Sequence, residues 1–179
     1  LINFYKNKKI NILDIGTGSG CILLSILKEL SLSRGIGIDI SAKAIQTAKL
    51  NSKNLNLSLR SKFKVFDLKS FNIGKYDLIV SNPPYIPSKD IKNLSKDIIN
   101  HEPLVALNGG YDGLDLIKKV IYKSSTLLKM NGMLAIEIGH NQYRKVSIFL
   151  KKYKFVEFSK EYDYKRNVRC IISTKIGNS

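Results

Sequence analysis

Acidic residues are scarce in this 179-residue sequence: 14 Asp and Glu stand against 30 Lys and Arg, a formal net charge of +16. Such a surplus attracts nucleic acid or complexes that contain it. Arginine is scarce as well, because 25 of the basic residues are Lys and only 5 are Arg. Lys, Asn and Ile together are what an A/T-rich coding sequence yields, and the lysines are scattered, with small clusters only at Lys6–Lys9 and Lys151–Lys154. The charge therefore assists binding without naming the partner. Two cysteines are too few for a disulfide framework. Cys21 and Cys170 both fall in apolar patterns and are expected as buried small hydrophobes in a reducing compartment. His101 and His140 share no metal-ligand spacing with them, so no metal site is expected. No apolar run reaches the roughly 18 residues of a membrane span. Residues 1–9 carry neither an apolar signal core nor an Arg/Ser-rich transit pattern, and there is no initiator Met. The expectation is a monomeric, cytoplasmic domain over residues 1–179 whose upstream segment has been removed, with mitochondrion or plastid as the alternative if that segment held a targeting signal. Hydrophobic content of 44% and charged content of 25% are those of a soluble globular chain.

What is present centres on residues 77–85. The apolar run Leu78-Ile79-Val80 ends abruptly in Ser81-Asn82-Pro83-Pro84-Tyr85. Asn82 offers a carbonyl oxygen and an NH2 group on one short arm. Pro83 and Pro84 donate no backbone N–H and hold φ nearly fixed, so the turn presents carbonyl acceptors. Pro83 also biases Asn82 towards extended backbone. Tyr85 supplies a flat face. Together they suit a planar, NH2-bearing substrate such as a carboxamide or an amino-substituted base; the bland alternative is a proline-rich turn closing a strand.

The chain around this motif alternates strand and helix. Residues 9–15 read as a strand, residues 21–30 as a helix capped by Ser19 with Ile22, Leu23, Ile26, Leu27 and Leu30 inward, and residues 35–40 as a second strand. Ser41 caps a helix over residues 42–54. Strands follow at 63–66 and 76–81. Residues 86–111 have no clean period and form an expected substrate-facing loop. Asp112 caps a helix with Leu114, Ile117, Ile121 and Leu128 on its apolar face, ended by Asn131-Gly132. A strand at 133–138, a helix at 142–152 and a closing strand pair at 155–162 and 168–174 complete one domain without internal repeat. This βαβ pattern predicts an α/β fold: a seven-stranded, mostly parallel sheet with helices on both faces and an antiparallel C-terminal pair. Ligands of such sheets sit at the carboxyl ends of the strands, where Asp14, the glycines, Asp39, Asp67 and Asn82 all fall.

Gly16, Gly18 and Gly20 let the backbone approach a ligand at the amino end of a helix. Asp39, at the end of the next strand, can accept both hydroxyls of a ribose. The spacing is G-x-G-x-G rather than the dinucleotide G-x-G-x-x-G. Asp14 can counter a cationic amino group. Asp67 can accept from an adenine amino group, with Leu68 packing on the ring. Structural turns and strand-end capping are the alternatives for these residues taken singly.

Asp14-Ile15-Gly16-Thr17-Gly18-Ser19-Gly20, Gly37-Ile38-Asp39 and Ser81-Asn82-Pro83-Pro84-Tyr85-Ile86-Pro87 resemble a class I S-adenosylmethionine-dependent methyltransferase. More narrowly, Glu102-Pro103-Leu104-Val105-Ala106-Leu107, Gly109-Gly110-Tyr111-Asp112-Gly113-Leu114, Ala135-Ile136-Glu137-Ile138-Gly139, Asp163 and Arg169 resemble the HemK/PrmC family, which methylates a glutamine side-chain nitrogen in peptide-chain release factors. The resemblance implies a Rossmann-like fold and S-adenosylmethionine as cofactor, leaving S-adenosylhomocysteine. It implies cofactor contacts at Asp14, Gly16, Thr17, Gly18, Ser19, Gly20, Asp39, Ile40, Asp67, Leu68 and Asn82. It implies acceptor contacts at Asn82, Pro83, Pro84, Tyr85 and Glu102, the chemistry resting on Asn82, Pro83 and Tyr85. Two departures stand out. The family's amino-terminal helical domain, which helps hold the release factor, is absent from this chain. Leu68 also stands where members often have an aromatic residue. The alternatives are an adenine-N6 or guanine-N2 methyltransferase, which shares Asn-Pro-Pro-Tyr; a non-catalytic cofactor-binding module; and, more distantly, a nicotinamide dehydrogenase.

Overall fold

The computed structural model describes residues 1–94 and 103–177. Seven strands form one sheet in the order β3-β2-β1-β4-β5-β7-β6. They are β1 (Asn11–Ile15), β2 (Arg34–Asp39), β3 (Ser61–Val65), β4 (Tyr76–Ser81), β5 (Leu128–Glu137), β6 (Phe155–Tyr162) and β7 (Val168–Lys175). The first five strands run parallel, and β7 lies antiparallel to both β5 and β6. Among the described residues the helices are α1 (Ile2–Tyr5), α2 (Cys21–Glu29), α3 (Ala42–Asn54), α4 (Leu104–Leu107), α5 (Asp115–Leu127) and α6 (Tyr143–Lys152), with a 3-10 turn at Ser88–Asn93. No helix among the described residues is long and apolar enough to cross a membrane.

The central strands read as unbroken apolar runs because both faces of the sheet are covered. Leu13, Ile79, Leu134 and Ile136 point into one core with Ile117 and Ile121 of α5 and Val146 and Leu150 of α6. Ile12, Leu78, Val80 and Met133 point into the other with Leu23 and Leu27 of α2 and Ile45 and Ala48 of α3. After β1 the chain builds β2 and β3 outward, then returns to lay β4 against the other side of β1. That reversal opens a crevice at the carboxyl ends of β1 and β4, where ligands of open α/β sheets bind.

Four local expectations are corrected. Ser19 does not cap α2: Gly20 occupies that position at φ 81, with no side-chain cap bond. The 3.6-residue period brings Leu23, Leu24 and Leu27 inward and leaves Cys21 and Ile22 exposed. Asp112 accepts from the Leu114 N–H at 3.1 Å, just ahead of α5 rather than as its cap. Asn131-Gly132 does not end a helix. Leu128 already belongs to β5, and Asn131 (φ 60) and Gly132 lie in an irregularity within that strand. Tyr76 pairs with Leu128 while Leu78 pairs with Met133, so β5 carries extra residues between the two.

Candidate functional site

The glycine segment after β1 is tied to the end of β2 rather than free-standing. The N–H groups of Gly16 and Thr17 both donate to the Ile38 carbonyl, at 2.9 and 3.0 Å. The Gly18 N–H donates to Asp39 Oδ2 at 2.9 Å, and the Ser41 N–H donates to Asp39 Oδ1 at 2.9 Å. Asn51 of α3 donates to the Ser19 carbonyl at 3.0 Å. Gly16 and Gly18 take φ of +70 and +55, where L side chains are strained, and a Cβ on either would meet nothing within 4 Å. The backbone therefore faces open space at both positions. Gly37 is needed for a different reason: a Cβ there would lie 2.6 Å from Thr17 Oγ1 and 2.7 Å from the Phe63 ring.

Asp14 lies beneath this loop with no solvent exposure. Thr17 Oγ1 donates to its Oδ2 at 2.7 Å, while Oδ1 has no hydrogen-bond partner. Burial drives its carboxyl from 3.8 up to about 6, against the pull of the Thr17 hydroxyl and the Leu23 N–H, and the charge of Asp39 adds to the rise. An unpartnered buried carboxylate oxygen calls for positive charge or a donor beside it. Ile40 is 61% exposed just past Asp39. Asp67 is exposed, its Oδ1 accepting from the Lys69 N–H at 2.8 Å. Leu68 is buried in the core with Phe71.

β4 delivers Asn82 to the edge beside the loop. Ile15 and Ser81 are register partners, and Ser81 Oγ donates to the Ile15 carbonyl at 2.8 Å, latching the two strand ends together. Asn82 is exposed, Pro83 buried, and Pro84 and Tyr85 half-buried. The segment beyond is pinned by backbone bonds: Ile86 N–H to Leu107 O at 3.1 Å, Gly109 N–H to Ile86 O at 2.8 Å and Ser88 N–H to Gly110 O at 2.9 Å. Burial raises the Tyr85 phenol above its ordinary value, with Arg169 pulling it down and Glu137 pushing it up.

A family model described as "Methyltransferase small domain" matches residues 1–111, more than half of the chain. The chain belongs to this methyltransferase family. Among curated relatives of this methyltransferase domain, the release factor glutamine methyltransferase of Rhodospirillum rubrum is 40% identical over 164 residues, covering 92% of this chain and 50% of that protein. The enzyme of the same name from Clostridium acetobutylicum is 38% identical over 179 residues, covering 98% of this chain and 61% of that one. The methyltransferase domain thus spans about half to three-fifths of the length of these relatives. Among solved structures, a ribosomal protein L11 methylase from Lactobacillus delbrueckii subsp. bulgaricus superposes with a TM-score of 0.69 at 22% identity, covering 97% of this chain and 74% of that one. That likeness establishes the fold.

The methyltransferase domain brings most of the anticipated residues to one edge. Asp14, the glycine loop, Asp39 and Ile40, and Asn82 with Pro83, Pro84 and Tyr85 follow β1, β2 and β4, three neighbouring strands. Asp67 and Leu68 follow β3 at the outer side, with Leu68 turned into the core. Glu102 lies outside the described residues. The sequence period marks Gln142 only as the start of a helix. It is buried, with Nε2 donating to Tyr85 O at 2.9 Å and Gly113 O at 3.1 Å, and Oε1 accepting from the Gly139 N–H at 2.8 Å. These bonds join segments 57 and 29 residues apart, which no local period announces. The Gly109-Gly110-Tyr111-Asp112-Gly113 stretch wraps the same strand end: a Cβ at Gly113 would lie 2.3 Å from Tyr85 O.

Proposed function

We propose that this domain transfers a methyl group from S-adenosylmethionine to the side-chain amide nitrogen of the glutamine in the Gly-Gly-Gln motif of peptide-chain release factors. The observation that carries the reading is the placement of Asn82-Pro83-Pro84-Tyr85 beside the glycine loop, on strands held in register by Ile15 and Ser81. The names of the relatives support the acceptor. The residues present fit the cofactor. Gly16 and Gly18 face open space, Asp14 Oδ1 has no partner, and Ile40 is exposed. Asp14 would offset the amino cation, the loop backbone would hold the carboxylate end, Asp39 the ribose, and Ile40 and Asp67 the adenine. When bound, the cofactor supplies an electrophilic sulfonium methyl.

The chain's own work is to make an amide nitrogen a nucleophile. Its lone pair is delocalised into the carbonyl. The Asn82 side-chain oxygen and the Pro83 carbonyl accept the two amide hydrogens and aim the nitrogen in line. As positive charge develops on nitrogen, both acceptors bind more tightly, which is differential stabilisation of the transition state, and one of the two amide protons then passes to solvent to leave the neutral N-methyl amide. Hydrogen bonds to charged groups contribute about 1.5–3 kcal/mol each. Two supply on the order of 10²–10⁴-fold in rate. Tyr85 packs against the amide plane, and the described residues 86–94 and 103–111 face the acceptor protein.

The test is label transfer from methyl-tritiated cofactor to a release factor, with and without its Gly-Gly-Gln glutamine replaced. Loss of label on replacement supports the reading; equal label on both, or none on either, overturns it. A second reading, transfer to an adenine or guanine amino group, is favoured by the net charge of +16, since a flipped base presents an NH2 group much as glutamine does. DNA and RNA acceptors in the same assay separate the two.

A further inference from the structure

The part of the chain beyond the family match reaches back to the acceptor motif through Gln142 and Arg169, and of the two Arg169 alone touches the Tyr85 ring. Arg169, on β7, donates from Nη2 to the Tyr85 hydroxyl at 2.7 Å, and its guanidinium carbon stands 5.0 Å from the centre of the Tyr85 ring. Glu137, on β5, lies 3.6 Å from the same guanidinium nitrogen. Glu137 and Arg169 are delivered side by side because the Ile138 N–H donates to the Arg169 carbonyl at 2.9 Å across the antiparallel β5–β7 pair. Glu137 pushes the Tyr85 phenol up while Arg169 pulls it down, so the hydroxyl lies in the field of an anion and a cation at once. Meanwhile its backbone carbonyl is held by Gln142. An aromatic ring free to turn about its side-chain torsions gives no fixed plane to an incoming amide; a ring held at its hydroxyl does. A bidentate-capable, delocalised guanidinium that both donates and stacks is the group suited to that task, and an ammonium is not.

From this geometry we propose that Arg169, itself held by Glu137, is a positioning residue that sets the plane of the Tyr85 ring for the acceptor amide. The proposal rests on the reading of the Asn-Pro-Pro-Tyr segment as the acceptor clamp. It extends that clamp to the antiparallel end of the sheet, so β7 contributes to turnover and not only to the fold. The Arg169–Glu137 pair is partly exposed, at 29% and 35%, so it supplies little stability by itself. Arg169→Met, which keeps the length and apolar stem, therefore leaves the domain folded while releasing the ring.

The test is a double-mutant cycle of Arg169→Met and Tyr85→Phe in the 179-residue chain, read in three ways. Turnover of the release factor by Arg169→Met falls about 10- to 100-fold, the cost of a misplaced reacting group, while the dissociation constant for the cofactor stays within about twofold. In the Tyr85→Phe background the same substitution changes turnover less than about twofold, because the contact it breaks is already gone. Arg169→Lys recovers less than half of the loss on a logarithmic scale. The third measurement does not depend on the acceptor: the Tyr85 resonance in a sample carrying 13Cζ-labelled tyrosine moves and broadens in Arg169→Met. Additive effects in the cycle, unchanged turnover, or an unmoved Tyr85 resonance would each overturn the proposal. A wild-type chain that binds cofactor yet labels no release factor sinks the functional reading instead, and the Tyr85 resonance then decides the positioning claim alone.

Discussion

Asp14→Asn separates the energetic cost of a buried charge from its use. The native carboxyl titrates at about 6 against 3.8 ordinarily, chiefly because burial disfavours its ionised form. The native state therefore binds this proton more tightly than the unfolded chain does. Stability from this group is fully present below 3.8 and is lost as pH rises through 6. The shift of about 2 units corresponds to about 3 kcal/mol at 1.36 kcal/mol per unit, of which about 2 kcal/mol falls between pH 4.5 and 7.5. Asparagine keeps the shape and an acceptor for Thr17 but cannot ionise. Its amide leaves a buried donor without a partner, a cost that does not change with pH. Other titrating groups are common to both proteins and cancel in the difference. Urea unfolding followed by circular dichroism on the ligand-free domain should show the gap between variant and wild type moving by about 2 kcal/mol in the variant's favour from pH 4.5 to 7.5. The corresponding movement in Tm is about 4–8 °C for a chain of this size. Parallel curves for the two proteins across that range would refute the reasoning. The same variant should bind S-adenosylmethionine more weakly by calorimetry at pH 7.5, the penalty having been kept for the cation.

Asn82→Ala should lower turnover about 10- to 100-fold, the loss of one hydrogen bond to developing charge, with the cofactor dissociation constant changed far less; equal turnover in steady-state assays ends the clamp argument. Gly113→Ala places a Cβ 2.3 Å from Tyr85 O and 2.6 Å from Gln142 Nε2 at φ +75. It should destabilise by more than about 2 kcal/mol in urea unfolding, whereas Gly74→Ala, whose nearest neighbour is the Tyr76 hydroxyl at 3.2 Å rather than backbone, should cost less. Gln142→Ala strands the Tyr85 and Gly113 carbonyls and the Gly139 N–H, and should cost about 3 kcal/mol while exposing the segment after Tyr85 to limited proteolysis.

Much of the fold is legible in the residues because burial on both faces imposes apolar runs. Residues 76–81 and 42–54 are bounded in the structure as anticipated, the latter by Ser41 Oγ accepting from the Ala44 N–H at 3.2 Å. The misread junction at Asn131-Gly132 has a physical origin. Those residues are ordinary helix terminators, but here they serve an irregularity that keeps Leu128 paired with Tyr76 before β5 resumes register at Met133. Cys21 is exposed against expectation because an apolar helix start does not reveal its own rotation. At the site, the glycines, Asp14, Asp39 and Asn82 are legible since each sits where a strand ends. Gln142 is not, because its partners at Tyr85 and Gly113 are set by tertiary closure, and a polar residue at the mouth of a helix looks like many others.

The placement of β7 between β5 and β6 sets an order on assembly. β7, the last strand among the described residues, is an interior one, paired on both sides. During synthesis the first five strands can associate as they emerge, but β6 has no edge to join until residues 168–175 leave the ribosome tunnel. A nascent chain halted near the β6–β7 turn would expose the flank of β5 as an open template for other polypeptides. Premature termination at that point is thus expected to yield inclusion bodies rather than a smaller folded domain.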